Sequence, residues 1–315
     1  MKRKAIIVGI RGIKLSSEEI YLLKKEKPWG VILFSRNIKN LIQLKKLIID
    51  IKNCIKDKNY PILIDQEGGR VSRLNKIIDL SIFSQGFFGN FYKNDRKTFY
   101  DYYKIYIDTV CEIIKKVGIN INTVPVLDVR RKNSHSIIGN RSFSSDASIV
   151  SKMGNLCINW YSKNKIATVI KHIPGHGLSK CDSHHKLPVI NTKKNELIKK
   201  DFKPFKNCKS PFAMTAHVIY SIYDPINTAT HSRIVINEII RKHIGFRGIL
   251  ISDDISMKAL RYGLKDNATK ALDAGCNLIL HSNGNMQEMS KLTKIIPTID
   301  KFTQKKTSHF YNFLR

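Results

Sequence analysis

Four stretches of the chain end an apolar, β-like run in residues that can do chemistry. They are Ile62-Leu63-Ile64-Asp65-Gln66-Glu67-Gly68-Gly69-Arg70, Ala167-Thr168-Val169-Ile170-Lys171-His172, Ala213-Met214-Thr215-Ala216-His217 and Ile249-Leu250-Ile251-Ser252-Asp253-Asp254. In parallel α/β proteins ligands gather beyond the C-terminal ends of the strands. An apolar run closed by charge, repeated four times, therefore places residues far apart in sequence around one pocket.

Each stretch suggests its own chemistry. After the third run, paired glycines let backbone approach a ligand closely, and Asp65 and Arg73 can hydrogen-bond hydroxyls or an anion. The plainer reading is a turn with an internal salt bridge; the strand-end position favours ligand binding. After the fifth run come Lys171-His172-Ile173-Pro174-Gly175-His176-Gly177 and Asp182-Ser183-His184-His185. His and Asp can ligate zinc, but these spacings lack the helical pairing of helix-borne zinc sites. Acid–base chemistry is the other reading, since an Asp two residues from a His can hold the imidazole tautomer and raise its pKa. Loop-stabilising histidines are the bland alternative. At the seventh run, adjacent Asp253 and Asp254 should point to opposite sides of an extended chain. The one at the mouth can act as nucleophile or base. A helix N-cap is expected for Asp254.

These residues need elements to hold them. Eight β-like runs recur: 5–9, 30–34, 61–65, 119–124, 166–172, 211–216, 248–252 and 277–281. Helix-like segments alternate with them at 16–25, 40–56, 97–117, 146–164, 193–205, 232–244 and 256–274, with Gly118, Gly245 and Gly275 where C-caps belong. Eight alternations read as an α/β fold, a (β/α)8 TIM-type barrel forming one domain over 1–315. An open doubly wound sheet is the runner-up, but no GxGxxG follows an early strand. The polar stretch 128–144 reads as a functional loop.

Composition narrows the classes. Of 315 residues 42% are hydrophobic, enough for one sizeable core. The 6 cysteines contain no CxxC pair, which argues against a disulfide framework or zinc ribbon and fits a reducing compartment. The apolar run after Lys2-Arg3-Lys4 is too short for a signal sequence, and nothing approaches a membrane span. A cytoplasmic protein is expected. The net charge of +30 resembles that of nucleic-acid binders. However, the lysines are spread along helix-like segments without a recognition module, and the Ile/Asn/Lys richness is what AT-rich coding produces. A solvated, compositionally biased surface is the expectation.

Taken together, the strings Asp-Gln-Glu-Gly-Gly-Arg-Val, Lys-His-Ile-Pro-Gly-His-Gly…Asp-Ser-His, Thr-Ala-His-Val-Ile-Tyr and Gly-Ile-Leu-Ile-Ser-Asp-Asp-Ile-Ser-Met resemble the single-domain β-N-acetylglucosaminidases of glycoside hydrolase family 3, the peptidoglycan-recycling type. The resemblance runs from about the second strand to the eighth. It implies removal of terminal N-acetylglucosamine from muropeptides by a retaining, covalent mechanism in the cytoplasm. Asp253 would be the nucleophile, His184 the acid/base and Asp182 its dyad partner. Sugar-binding roles would fall to Asp65, Arg73, Arg141, Lys171 and His172, with Arg141 placed by Gly139-Asn140-Arg141-Ser142-Phe143. No metal or cofactor, no membrane and no specific nucleic acid is implied, and a monomer is expected. Two departures are visible: Ile173 stands where the family usually has Phe, and Arg130-Arg131 makes the preceding loop more basic.

Three rivals remain. A phosphorylase would use the same residues with phosphate as acceptor. A metal-dependent hydrolase would use His172, His176 and His184, and a nucleic-acid-binding barrel would use the charge alone. If the charge is compositional, polynucleotide binding should be weak and vanish near physiological salt, as nonspecific phosphate contacts do. A salt titration by fluorescence anisotropy checks this; micromolar binding surviving such salt would overturn it.

Overall fold

A computed structural model describes residues 2–131, 137–179 and 187–315. The barrel strands are β1 (Lys4–Gly9), β2 (Pro28–Leu33), β3 (Ile62–Ile64), β4 (Ile121–Asn122), β5 (Ala167–Ile173), β7 (Phe212–Thr215), β9 (Ile249–Asp254) and β10 (Leu278–His281). They are Val/Ile/Leu-rich and buried along nearly their whole length, as parallel strands covered on both faces must be. All eight close in the order β1-β10-β9-β7-β5-β4-β3-β2. The pairing is parallel throughout: Leu63 meets Ile121, Ile121 meets Ala167, and Phe212 meets Ile249. Each expected β-like run overlaps one of these strands, so the (β/α)8 reading holds.

The surrounding helices follow local signals. Helix α1 (Ser17–Glu26) starts in a reciprocal cap between Ser16 and Glu19. Asn40 caps α2 (Leu41–Ile55). Helix α4 (Arg96–Val117) buries Phe99, Tyr103, Ile107, Val110 and Ile114 at helical spacing and stops at Gly118, whose φ of 99° suits a residue without Cβ. Helix α5 (Ala147–Lys163) is capped by Asp146. At the barrel's N-terminal end, α9 (Lys301–Leu314) inserts Phe310 beside Trp29 and Phe212, with ring centroids 6.5 and 5.4 Å away. Trp29 Nε1 donates to Thr307 Oγ1 at 2.9 Å, so this aromatic plug leaves its one polar atom satisfied. This helix packs its aromatic face across the starts of the strands, opposite the end where the charged strand-end residues lie.

Three expected helices come out differently. Only Leu264–Ala274 (α7) of the 256–274 segment is helical. Residues 256–263 form turns because the Asp254 carboxylate captures the Ser256 N–H and hydroxyl, and Asn267 Nδ2 bonds the carbonyls of Ile255 and Tyr262. Asp254 thus caps a turn and not a helix. The 193–205 segment divides into α6 (Lys194–Glu196), a π-turn at Leu197–Asp201 and a 3-10 turn at Lys203–Phe205. Val235–His243 is wound as a π-helix. Elements outside the sequence expectation are α3 (Gln85–Asn94), α8 (Met286–Ile295), α9, and a small parallel pair, β6 (Val189–Ile190) with β8 (Ile219–Tyr220).

Helix α3 carries two glycines in ten residues, which weakens its local signal. Their purpose is close approach. A Cβ on Gly89 would sit 1.7 Å from the Phe143 carbonyl oxygen, and one on Gly86 3.1 Å from that of Asn140. Gln85 Nε2 also donates to the Arg141 carbonyl at 2.7 Å. The helix is therefore the bed for the Arg141 turn. Gly89→Ala should cost about 1–3 kcal/mol through overpacking and lower the Tm measured by calorimetry. An unchanged Tm would refute this packing role.

Candidate active site

A pocket of about 370 Å³ opens at the C-terminal end of the barrel, within the range of small-molecule sites. Asp65 follows β3, Thr123 follows β4, Lys171 and His172 lie in β5, Met214 lies in β7, and Asp253 and Asp254 end β9; all line it with Arg73, Arg141 and His176. Five of the eight expected site residues, Asp65, Arg73, Arg141, Lys171 and His172, thus share one cavity with a sixth, Asp253. The remaining two, Asp182 and His184, lie outside the described residues.

A web of charge forms the floor. Lys171 Nζ, with its side chain 3% exposed, reaches Asp65 Oδ1, Glu67 Oε1 at 2.6 Å and Thr123 Oγ1 at 3.1 Å. Arg73 Nη2 holds the other oxygen of Asp65 at 2.5 Å. Arg141 grips Glu67 with two parallel bonds of 2.8 Å, the fork geometry that makes such pairs strong. Burial alone would raise both carboxyls; Lys171 and Arg73 hold Asp65 well below its ordinary value, and Arg141 and Lys171 hold Glu67 below its own. For Arg141 burial acts to lower the guanidinium, but Glu67 more than compensates and raises it. Salt bridge and ligand site are therefore one arrangement, since Asp65 and Arg73 are paired and still line the cavity.

Asp253 is built differently. Oδ1 accepts the Asp254 N–H at 2.8 Å, and Oδ2 has no hydrogen-bond partner among the described residues. Burial pushes its carboxyl up, but His217, His172, the Asp254 amide and Lys171 outweigh this and leave it below the ordinary value. It is an ionised carboxylate with one uncommitted oxygen at a pocket wall. Asp254 also lines the pocket, contrary to the expected division between mouth and wall, because its oxygens are drawn to Ser256 and Ser282 beside the cavity. His217 locks this segment from behind. Its Nε2 bonds the Asp254 carbonyl at 3.0 Å, so it donates there, and Nδ1 accepts from Thr230 Oγ1 at 2.7 Å.

Asp128 escaped the sequence reading as a site residue. It is fully buried and accepts the His172 ring Nδ1 at 2.7 Å and the His176 N–H at 2.6 Å. A signal existed: Val126-Leu127-Asp128 repeats the apolar run closed by a carboxylate seen at the other strand ends. His176 is also buried, and desolvation followed by the neighbouring His172 lowers it to about 4, so it is neutral at physiological pH.

The web makes a signed prediction. With Asp65 and Glu67 depressed in the folded state, their stabilisation is present above the unfolded carboxylate range near pH 4 and lost as pH falls below it. Lys171→Met removes the ammonium and raises both folded values. At neutral pH the variant should lose about 3–5 kcal/mol, the cost of breaking a buried pair. The Tm gap to wild type should narrow on acidification, as the unneutralised carboxylates take up protons. Parallel Tm–pH curves would refute the assignment.

Comparison with known proteins agrees with this geometry. The model of the glycosyl hydrolase family 3 N-terminal domain matches residues 4–308. A beta-hexosaminidase of Psychromonas ingrahamii is 33% identical over 303 residues, covering 94% of this chain and 88% of its own. NagZ from Neisseria gonorrhoeae, solved with N-trifluoroacetyl-D-glucosamine, superposes with a TM-score of 0.87 at 28% identity, over 100% of this chain and 91% of that one. A family 3 β-N-acetylglucosaminidase from Paenibacillus aligns with a TM-score of 0.85 at 25% identity over 98% of this chain, which spans 60% of that longer protein. A closed parallel barrel, charged residues gathered at its C-terminal mouth and a family match along nearly the whole sequence lead to one assignment: the chain belongs to glycosyl hydrolase family 3 and is a glycoside hydrolase.

Proposed function

We propose that this chain is a retaining, exo-acting β-N-acetylglucosaminidase that removes terminal N-acetylglucosamine from muropeptides of the GlcNAc-1,6-anhydroMurNAc type. On this reading it works as one catalytic domain over 1–315 in the cytoplasm, during peptidoglycan recycling. The observation that carries the mechanism is Asp253: ionised, half-buried at the pocket wall, with one oxygen uncommitted among the described residues. The observations that support the substrate are the names of the relatives and a pocket with room for a small sugar ligand.

Asp253 attacks the anomeric carbon, the bond to the aglycone oxygen breaks, and a covalent glycosyl-enzyme forms. The departing oxygen needs a proton. Among the described residues the other pocket carboxylates are engaged: Asp65 with Lys171 and Arg73, Asp254 with Ser256 and Ser282. This supports an acid from elsewhere, and His184, oriented by Asp182, is the expected one. Imidazole starts near ~6.5 and needs little tuning for the task. The same His then takes a proton from water, which attacks the anomeric carbon and frees Asp253. Asp65, Arg73, Arg141, Lys171 and His172 hold the sugar hydroxyls meanwhile. No described helix is long and apolar enough to cross a membrane.

A slow fluorinated N-acetylglucosaminide should label a peptide containing Asp253, and Asp253→Ala should lose several orders of magnitude in kcat on an aryl β-glycoside. Mass spectrometry and NMR of the released sugar read both. Inverted product, or a label elsewhere, would sink the nucleophile assignment. Sugar phosphate in place of free sugar, when phosphate is added, would convert the reading to a phosphorylase.

A further inference from the structure

We propose that Asp128 is a positioning residue that holds His172 in its Nδ1–H tautomer, so that Nε2 faces the pocket as a hydrogen-bond acceptor. Three N–H groups converge on this one side chain. Oδ1 takes the His176 amide at 2.6 Å, Oδ2 takes His172 Nδ1 at 2.7 Å, and the His172 amide lies 3.3 and 3.4 Å from the two oxygens. An ionised carboxylate only accepts, so Nδ1 must carry the proton facing it. In the neutral ring Nε2 then carries a lone pair. The ring lines the pocket, and Nε2 has no partner among the described residues.

This polarity matters because the acceptors around the pocket's guanidinium groups are charged carboxylates. Arg73 and Arg141 can only donate. A hydroxyl that accepts from one of them still has a proton to place, and His172 Nε2 is an acceptor without charge. The contrast with His217 supports the point. There Nε2 faces a carbonyl and must donate, leaving Nδ1 to accept from Thr230. Two histidines at neighbouring strand ends are thus held in opposite tautomers by what stands behind them. Asp128 also ties the segment after β4 to the segment after β5. These segments touch so closely there that a Cβ on Gly177 would lie 2.0 Å from the Val129 carbonyl oxygen.

Asp128→Asn is the informative variant. Its amide oxygen can keep the His176 N–H while its NH2 replaces Oδ2, facing Nδ1 with a donor. The ring must then move its proton to Nε2 and present a donor to the pocket. The loss of a triad-type Asp to Asn by a wrong tautomer is the general precedent. Long-range ¹H–¹⁵N NMR on ¹⁵N-histidine protein, assigned with His172→Gln, reads the tautomer directly at neutral to mildly alkaline pH. Wild type should show a pyrrole-type Nδ1 and pyridine-type Nε2, and Asp128→Asn the reverse. An Nε2–H tautomer or a doubly protonated ring in wild type would overturn the proposal, and this reading does not depend on Asp128→Asn folding.

The kinetic arm rests on the glycosidase reading. Asp128→Asn should lower kcat/KM for an aryl N-acetylglucosaminide by about 10- to 100-fold, the scale of a buried hydrogen bond turned into a mismatch. Across monodeoxy substrates the wild-type-to-variant ratio should collapse towards one at a single position, the hydroxyl that donates to His172. An equal ratio at every position would mean that Asp128 is merely structural. Wild-type protein inactive on all aryl glycosides would fail the glycosidase reading and leave the NMR result standing.

Discussion

The buried ammonium of Lys171 is the constraint on which the mouth of the barrel depends. A charge with its side chain 3% exposed must be paired or neutralised. It is met by Asp65 beyond β3, by Glu67 in the loop that follows, and by Thr123 beyond β4. Those carboxylates in turn need Arg73 and Arg141, which recruits the segment after β4 and the helix beneath it. One unsatisfied charge would leave a buried ion uncompensated, so the arrangement holds as a unit. The result is a pocket whose polar groups are aimed before any ligand arrives, the condition under which fixed charges act without reorganisation.

The same logic separates the two ends of the barrel. At the N-terminal end the packing is aromatic, and the ring N–H of Trp29 is spent on Thr307. At the C-terminal end two groups that line the cavity keep an atom without a partner among the described residues: Asp253 Oδ2 and His172 Nε2. Carboxylates there divide by what is placed behind them. Asp65 and Glu67 balance cations, Asp254 organises a turn, Asp128 orients a ring, and among these described carboxylates Asp253 alone keeps an oxygen to spare. Close approaches through Gly89 and Gly177 keep the loops bearing these groups against the barrel.

Much of this is legible in the order of residues. Buried parallel strands need unbroken apolar runs, a local property, so eight runs suffice to read eight barrel strands. Helix ends at Ser16, Asn40 and Gly118 are likewise set by caps within a few residues. Because strand ends face the ligand in this fold, Asp65, Lys171, His172 and Asp253 stand out by their place after apolar runs, and the cavity does gather them. The sequence alone therefore determined the architecture and the strand ends at which chemistry could occur.

Tertiary structure decided the partners. Lys171 meets Asp65 across 106 residues and Arg141 meets Glu67 across 74, distances at which no periodicity informs. Whether a strand-end carboxylate is a balancing charge, a turn cap, a ring holder or a free nucleophile depends on those meetings. Asp128 shows this most clearly: its own surroundings in sequence match the other strand ends, yet its function is set by His172, 44 residues on. The turns at 256–263 and the glycine-bearing α3 follow suit, since side chains from Ser282, Asn267 and the Phe143 backbone outweigh local propensity. Burial is written locally because it depends on residue type and spacing; hydrogen-bond partners are chosen only when the closed barrel brings distant loops to one mouth.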